Sequence, residues 1–355
     1  MELVYPHETL SYFTKSIFIK SGMNEADASL ATKVLIEADL RGIDSHGVAR
    51  LSGYIRLKEA GRANMNANWK IIHETPSTAT IDADSGLGLV VANKAMEVAI
   101  KKAKEVGTGW VAIQNSNHFG IAAAHAMMAL EHDMIGFAMT NASPLVAPTF
   151  SKERMLGTNP ICACFPTANE LPFVLDMATS AAANGKLEIA QRKGKDLPDN
   201  WVQTKEGLPS NNAHELKNGG SLLPLGGHKG YGLAAMVDIM SAVLSGANYG
   251  PWVPPFVAFL NPLENLPGNG IGHFVGAMRI DAFRPASEFK IHMDNWIKRF
   301  KESIPVDENQ PVLIPGEIEF KMKEERLVSG IPLNENVVND LMELGMKLGI
   351  QLTRG

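Results

Sequence analysis

The residues best able to do chemistry crowd into one short stretch, Arg41, Asp44, Ser45, His46, Gly47 and Arg50. An imidazole with an ordinary pKa of about 6.5 can give or take a proton near neutrality. An arginine one helical turn further on can hold a carboxylate through two parallel hydrogen bonds. Together they suit an anionic substrate that must gain or lose a proton. The same spacing also suits a plain turn whose serine and histidine cap the next helix. A second stretch, NSNHFG at 115–120, follows a strand-like run and precedes a helix-like one. The crevice beyond a strand's carboxyl end is the usual ligand site of open α/β sheets, which favours His118. Asn115, Ser116 and Asn117 could equally be loop residues that cap the following helix.

Three further regions carry polar groups at turns. TNASPLVAP (140–148), containing Asn141, and GTNP (157–160), containing Thr158 and Asn159, could offer backbone N–H groups to a carboxylate or phosphate, or be simple turns. DMATS (176–180) ends an apolar run with Asp176, Met177, Thr179 and Ser180. Its carboxylate could orient a histidine, and its hydroxyls could bond a ribose or phosphate. Helix capping accounts for the threonine and serine but leaves Asp176 unexplained. LGGHKGYG (225–232) joins glycines, which let backbone approach an anion, to His228, Lys229 and a helix N-terminus. That combination makes a phosphate cradle.

Other signatures fail on context. Gly230, Gly232 and Ala235 satisfy a loose G-x-G-x-x-A pattern, yet a glycine turn rather than a strand precedes them. There is no G-x-x-x-x-G-K-[ST] loop, no H-E-x-x-H pair and no G-x-S-x-G elbow in the sequence. The expected site therefore holds no metal and binds any nucleotide without the usual glycine fingerprint.

Elements must position these groups. Asn24 precedes Ala28, Ala31, Leu35 and Ala38 at helical spacing, so a helix over 25–40 delivers the chain into RGIDSHG. Another follows through Leu51, Ile55 and Leu57 and stops at Gly61. From Ser77 the texture alternates. The strand-like runs TATID (78–82), GWVAI (109–113), IGFAM (135–139) and FVLDM (173–177) are separated by helix candidates at 89–106 and 121–133. Residues 191–224 are polar and rich in breakers and read as a loop excursion, whereas 230–247 reads as a core helix. Amphipathic helices near Ser287 and after Asn334 close the chain.

Composition narrows the class. A chain of 355 residues with 45% hydrophobic and 20% charged residues predicts two or three folding units of ordinary globular type. A formal charge of −5, with no basic block, offers nothing to a nucleic acid. No apolar run reaches the roughly 18 residues of a membrane span. The N-terminus lacks the basic-then-apolar order of a signal peptide. Cys162 and Cys164, one residue apart, read as buried thiols in a reducing cytoplasm.

RGIDSHGVARL, NSNHFG, GTNP, DMATS and GGHKGYGL, in this order and at this spread, resemble the malate/L-lactate dehydrogenase-like family of NAD(P)-dependent oxidoreductases. That family also includes ureidoglycolate dehydrogenase, diketogulonate reductase, sulfolactate dehydrogenase and cyclic-imine reductases. The likeness spans about residues 5–350. It implies an α/β fold of the sulfolactate dehydrogenase type, with a non-Rossmann mixed-sheet cofactor domain and a helical domain built from both chain termini. The implied boundaries are 1–72 with 315–355 for the helical part, 73–190 with 222–314 for the core, and 191–221 for the excursion.

Carried over by motif, the resemblance implies His46 and His118 as the two candidates for the proton donor and acceptor, and Asp176, which could orient a histidine, joins them as a candidate catalytic residue. It implies Arg50 as carboxylate clamp, with Ser45, Thr158 and Asn159 helping to bind substrate. Asn141, Asp176, Met177, Thr179, Ser180, His228, Lys229, Gly316 and Glu317 match segments that bind NAD or NADP. The implied reaction moves a hydride between nicotinamide and a small 2-hydroxy or 2-oxo acid, in a cytoplasmic homodimer. The alternatives are an NADPH-dependent cyclic imino acid reductase, or a non-catalytic ligand-binding relative.

Overall fold

The computed structural model describes residues 2–258, 260 and 262–353. The chain opens with strand β1 (Glu2–Tyr5) and helices α1 (His7–Lys20) and α2 (Glu25–Leu40). The Asn24 side chain caps α2 by accepting the Asp27 N–H at 3.0 Å, as the sequence pattern predicts. Two single 3₁₀ turns, Asp44–His46 and Val48–Arg50, lead into α3 (Leu51–Glu59). Strands β2 (Lys70–Glu74) and β3 (Thr78–Asp82), helix α4 (Gly88–Val106) and strand β4 (Thr108–Ser116) follow. Then come α5 (Ala122–Ala126), β5 (Met134–Thr140), β6 (Ile161–Phe165), β7 (Phe173–Met177) and α6 (Asn184–Lys193).

The polar stretch expected to be a loop excursion instead forms a small sheet, β8 (Val202–Gln203), β9 (Pro209–Ser210) and β10 (Ser221–Leu222). Leu187, Leu197, Val202, Ala213 and Leu222 bury a core of their own beneath it. These apolar residues are spread singly among breakers, so no periodic signal announces them. Helix α7 (His228–Asp238) runs into a wide π-turn, Ile239–Val243, and is followed by β11 (Ile271–Arg279). Helices α8 (Ala286–Lys301) and α9 (Glu317–Ser329), strand β12 (Ile331–Asn334) and helix α10 (Glu335–Leu348) complete the chain.

Seven strands form one mixed sheet in the order β2-β3-β4-β11-β5-β6-β7, in which only the β3–β4 pairing is parallel. Both faces are covered. Val111 and Ile113 of β4 and Val275 and Ala277 of β11 pack with Ala92, Met96 and Ala99 of α4. The alternate residues Ala112 and Phe274 pack on the other face with Val237 of α7. Burial on both faces leaves β11 with seven consecutive buried residues, so it lacks the two-residue alternation that marks a half-exposed strand. A second core joins the chain ends: β1 pairs antiparallel with β12, and Phe13, Leu35 and Tyr54 pack with Ile331 and Leu341.

The topology explains why distant motifs meet. Both β4 and β5 are antiparallel to β11, and β7 is separated from β5 by the antiparallel β6, so β4, β5 and β7 run in one direction. Their carboxyl ends, Ser116, Thr140 and Met177, therefore lie at one end of the sheet. NSNHFG, TNASP and DMATS begin there, and GTNP enters β6 from the same side. Residues 223–225 then run beside 179–181, with Leu225 N–H donating to Thr179 O at 2.9 Å and Ala181 N–H to Leu223 O at 2.8 Å. That pairing seats the glycine turn before α7 next to the end of DMATS.

Candidate active site

His46 is delivered by the turn between α2 and α3. The buried Asp39 carboxylate accepts the Val48 N–H at 2.8 Å, and Arg326 bonds both Asp39 O and the Asp44 carboxylate. The Arg50 Nε–H donates to Ser45 O at 2.6 Å. Its two terminal nitrogens have no partner among the described residues, and its guanidinium lies 5.9 Å from the Phe256 ring centre. An arginine tied at Nε keeps its forked edge free for a carboxylate.

His118 arrives from the other side, after β4. The His46 and His118 rings stack with centroids 5.6 Å apart and an interplanar angle of 26°. Two residues that the sequence reading passed over complete the cluster. Tyr54 Oη lies 2.6 Å from His118 Nδ1, and the Phe256 ring lies 4.9 Å from the His118 ring and 5.1 Å from Tyr54. Tyr54 follows Arg50 by one helical turn, a spacing that could have placed it on the same face. Phe256 sits in an irregular stretch that gave no signal.

Burial sets the protonation of this cluster. His46 is pulled down to about 4 by desolvation and by the nearby Arg50 charge. His118 is held well below its usual value by desolvation, then by His46, Arg50 and His273. Both imidazoles are therefore neutral at pH 7. His125, lowered to about 4, and His273, lowered to about 3, are neutral for the same reason. They hold the NHFG loop from behind: His125 Nε2 bonds Phe119 O at 2.8 Å, and the His273 ring stacks on Phe119 at 4.9 Å.

The expectation that Asp176 orients a histidine is not met. Its carboxylate accepts the Ala123 N–H at 2.8 Å, at the start of α5, and no imidazole bonds it. Instead it lines a cavity of about 280 Å³ with Arg41, Gly316 and Glu319. Burial raises its pKa to about 6. Arg41 is 2% exposed, lies over the Phe320 ring, and has Nε and Nη1 without hydrogen-bond partners among the described residues. The sequence reading noted Arg41 only as a neighbour of His46.

Several other expected ligands spend their side chains inside the fold. Asn141 donates to Asp238 and to Asn248 O and accepts the Gly272 N–H. Asn159 accepts the Ala142 N–H and donates to Ala234 O. The Thr179 hydroxyl donates to Thr158 O and Asn159 O, and the Ser180 hydroxyl to Ala182 O. Glu317 is 5% exposed, and its carboxylate meets Lys321 at 2.6 Å, Lys301 at 3.2 Å and the Ile314 N–H at 3.3 Å. It locks the turn at Gly316, while Glu319 takes the cavity wall. Met177 pairs with Ile161 at the end of β7. His228 and Lys229 are exposed at the first turn of α7. Among the described residues no cluster of His, Cys, Asp or Glu could hold a metal ion, and no helix is long and apolar enough to cross a membrane. The thiols of Cys162 and Cys164 are buried and unbridged, with their sulfurs 3.6 Å apart.

The mixed sheet gathers paired imidazoles, an arginine fork and a cavity at one end, and comparison with known proteins gives the class of protein that carries them. The family model described as malate/L-lactate dehydrogenase matches residues 5–342. The chain belongs to that family. A malate dehydrogenase of Pyrococcus horikoshii is 44% identical, over 98% of this chain and 96% of the relative. An L-sulfolactate dehydrogenase of Methanocaldococcus jannaschii is 41% identical, over 94% of both chains. The solved structure of the sulfolactate dehydrogenase of that organism superposes with a TM-score of 0.91, covering 99% of this chain and 98% of that one.

Proposed function

We propose that this chain is a nicotinamide-dependent dehydrogenase that interconverts a small 2-hydroxy acid of the malate/lactate type and its 2-oxo acid. One observation carries the reading: His46 and His118, far apart in sequence, stack at 5.6 Å beside the free fork of Arg50. A fork of two N–H donors clamps the substrate carboxylate. A neutral imidazole has the lone pair needed to accept the proton of the adjacent C2 hydroxyl, and in reverse an imidazolium returns it. Burial by Phe256 and Tyr54 excludes water and strengthens each of these contacts.

The residues fit the cofactor in two places. The cavity at Asp176, Gly316 and Glu319 is also lined by Arg41, whose Nη1 lies 3.8 Å from the Glu37 carboxylate without a hydrogen bond, and this donor and acceptor set suits a phosphate and a ribose. The open glycine turn at 226–227, followed by His228 and Lys229 at the N-terminus of α7, suits a further phosphate. A bound nicotinamide supplies the hydride chemistry itself. The protein holds the carboxylate, orients C2 and carries one proton.

A second copy of the chain completes the proposal. Helix α7 and the turn after it, expected to be core, leave Leu233, Met236, Ile239, Val243 and Leu244 more than a third exposed. A continuous apolar stripe of this kind supports a homodimer, and the two unbridged thiols favour a reducing cytoplasm. The test is absorbance at 340 nm with NADH and NADPH against oxaloacetate, pyruvate and piperideine-2-carboxylate. Turnover of an oxo acid is expected, and the faster cofactor settles the preference. Turnover of the imine alone, or of none, overturns the reading.

A further inference from the structure

The two imidazoles of the site are not equivalent, and the difference lies in what bonds their Nδ1 atoms. The Gly120 backbone N–H points at His118 Nδ1 at 3.3 Å. A peptide N–H only donates, so Nδ1 presents a lone pair there. The Tyr54 hydroxyl, 2.6 Å from the same atom, then donates to it as well. A neutral imidazole carries a single N–H, which is left on Nε2. That nitrogen has no partner among the described residues. His46 differs: among the described residues its Nδ1 meets only the Ser45 hydroxyl, at 2.9 Å, and a hydroxyl serves as donor or acceptor. His46 is thus free to carry its proton on Nδ1 and to present a lone pair at Nε2.

Besides filling the core that joins the chain ends, Tyr54 is held in place for this task. It is fully buried, its ring is held edge-on by Phe256, and burial keeps its hydroxyl protonated far above the usual phenol range, opposed only in part by Arg50. It is a fixed donor rather than a proton source. The groups that face His118 are Tyr54, the Gly120 amide, the His46 ring and the Phe256 ring, with the Arg50 charge and His273 further out.

We propose that Tyr54 is a positioning residue that, with the Gly120 amide, holds His118 as the Nε2–H tautomer, so that His118 donates a hydrogen bond to the substrate oxygen while His46 takes the proton. The proposal rests on the reading of the site as a hydroxy-acid dehydrogenase. In oxidation the substrate O–H bond breaks and its proton passes to His46 Nε2, giving an imidazolium. A bound nicotinamide would supply the acceptor for the hydride that leaves C2, and the C2 oxygen would accept from His118 Nε2–H as the carbonyl forms. Reduction reverses each transfer.

The first test needs no turnover. In protein labelled with ¹⁵N-histidine, His118 is expected to show an unprotonated, pyridine-like Nδ1 and a protonated Nε2 at pH 7. Tyr54→Phe, which keeps the ring, is expected to move both shifts toward a tautomer mixture. A protonated Nδ1 in the parent protein overturns the proposal, whatever the enzyme's substrate proves to be. The second test is kinetic. Tyr54→Phe is expected to lower kcat on the order of 10- to 100-fold, with KM for the oxo acid and NADH affinity by fluorescence little changed. A kcat within twofold of the parent overturns it, whereas an inactive parent enzyme overturns only the functional reading.

Discussion

Asp39 lies directly beneath Gly47. Its carboxylate accepts the Val48 N–H at 2.8 Å, and a Cβ at position 47 would stand 1.8 Å from Oδ1. The turn that presents Ser45 and His46 can therefore close only over a residue without a side chain. Gly47→Ala is expected to lower stability by about 1–3 kcal/mol, as overpacking does, and to remove most activity. Asp39→Asn keeps an acceptor for Val48 and is expected to stay folded and active. Urea unfolding with a kcat assay checks both, and an active, stable Gly47→Ala protein would contradict this account of the turn.

The histidine pair and the arginine fork predict different kinetic signatures. His46→Ala and His118→Ala are each expected to lower kcat by about 10²–10⁴-fold. Arg50→Ala is expected to raise KM for the oxo acid more than it lowers kcat, and Arg50→Lys to recover little, because an ammonium has no planar fork. Steady-state kinetics separates the cases. Near-normal turnover in both histidine variants would remove the proton-transfer role.

The buried imidazoles tie stability to pH. His125 has a folded pKa of about 4, against about 6.5 in an unfolded chain. The unfolded state binds its proton first, so this contribution is present above about pH 6.5 and is lost as pH falls toward 4. Asp176, raised from 3.8 to about 6, works in the opposite sense over its own range. Comparing His125→Gln with the parent cancels Asp176. Between pH 6 and pH 4 the variant's stability should fall less steeply, by up to about 1.4 kcal/mol per pH unit. Denaturant midpoints at pH 4 and pH 6 measure this, and an equal fall in variant and parent would rule it out.

Arg41 offers a test of where the cofactor lies. If the Arg41 guanidinium that lines the cavity meets a phosphate there, Arg41→Gln loses charge-assisted hydrogen bonds worth about 1.5–3 kcal/mol, or roughly 10- to 100-fold in Kd. NADH or NADPH affinity, read by fluorescence titration, is expected to weaken by that factor with turnover at saturation little changed. An unaltered Kd would assign the cavity to something else.

Local rules reached far along this chain. The Asn24 cap, the apolar spacing of α2 and the short runs at 78–82 and 173–177 act over a few residues, and those elements formed where their patterns lie. Residue types alone also marked His46, His118 and Arg50, because an imidazole and a guanidinium have few uses at a helix junction. The elements that went unseen are the ones whose burial comes from both sides, such as β11, or from scattered contacts, such as β8–β10.

The composition and motifs determined which groups were available: two histidines, an arginine beside one of them, and a set of turns able to face an anion. Tertiary structure alone decided how those groups are paired. Strand direction carried His118 to the end of the sheet where DMATS also begins, and the α2–α3 turn brought His46 against it. Packing then set a tyrosine hydroxyl on one ring and a serine hydroxyl on the other, and left Asp176 beside Arg41 instead of a histidine. Hydrogen bonds depend on positions fixed to within half an ångström by contacts from residues far along the chain, which no local pattern records.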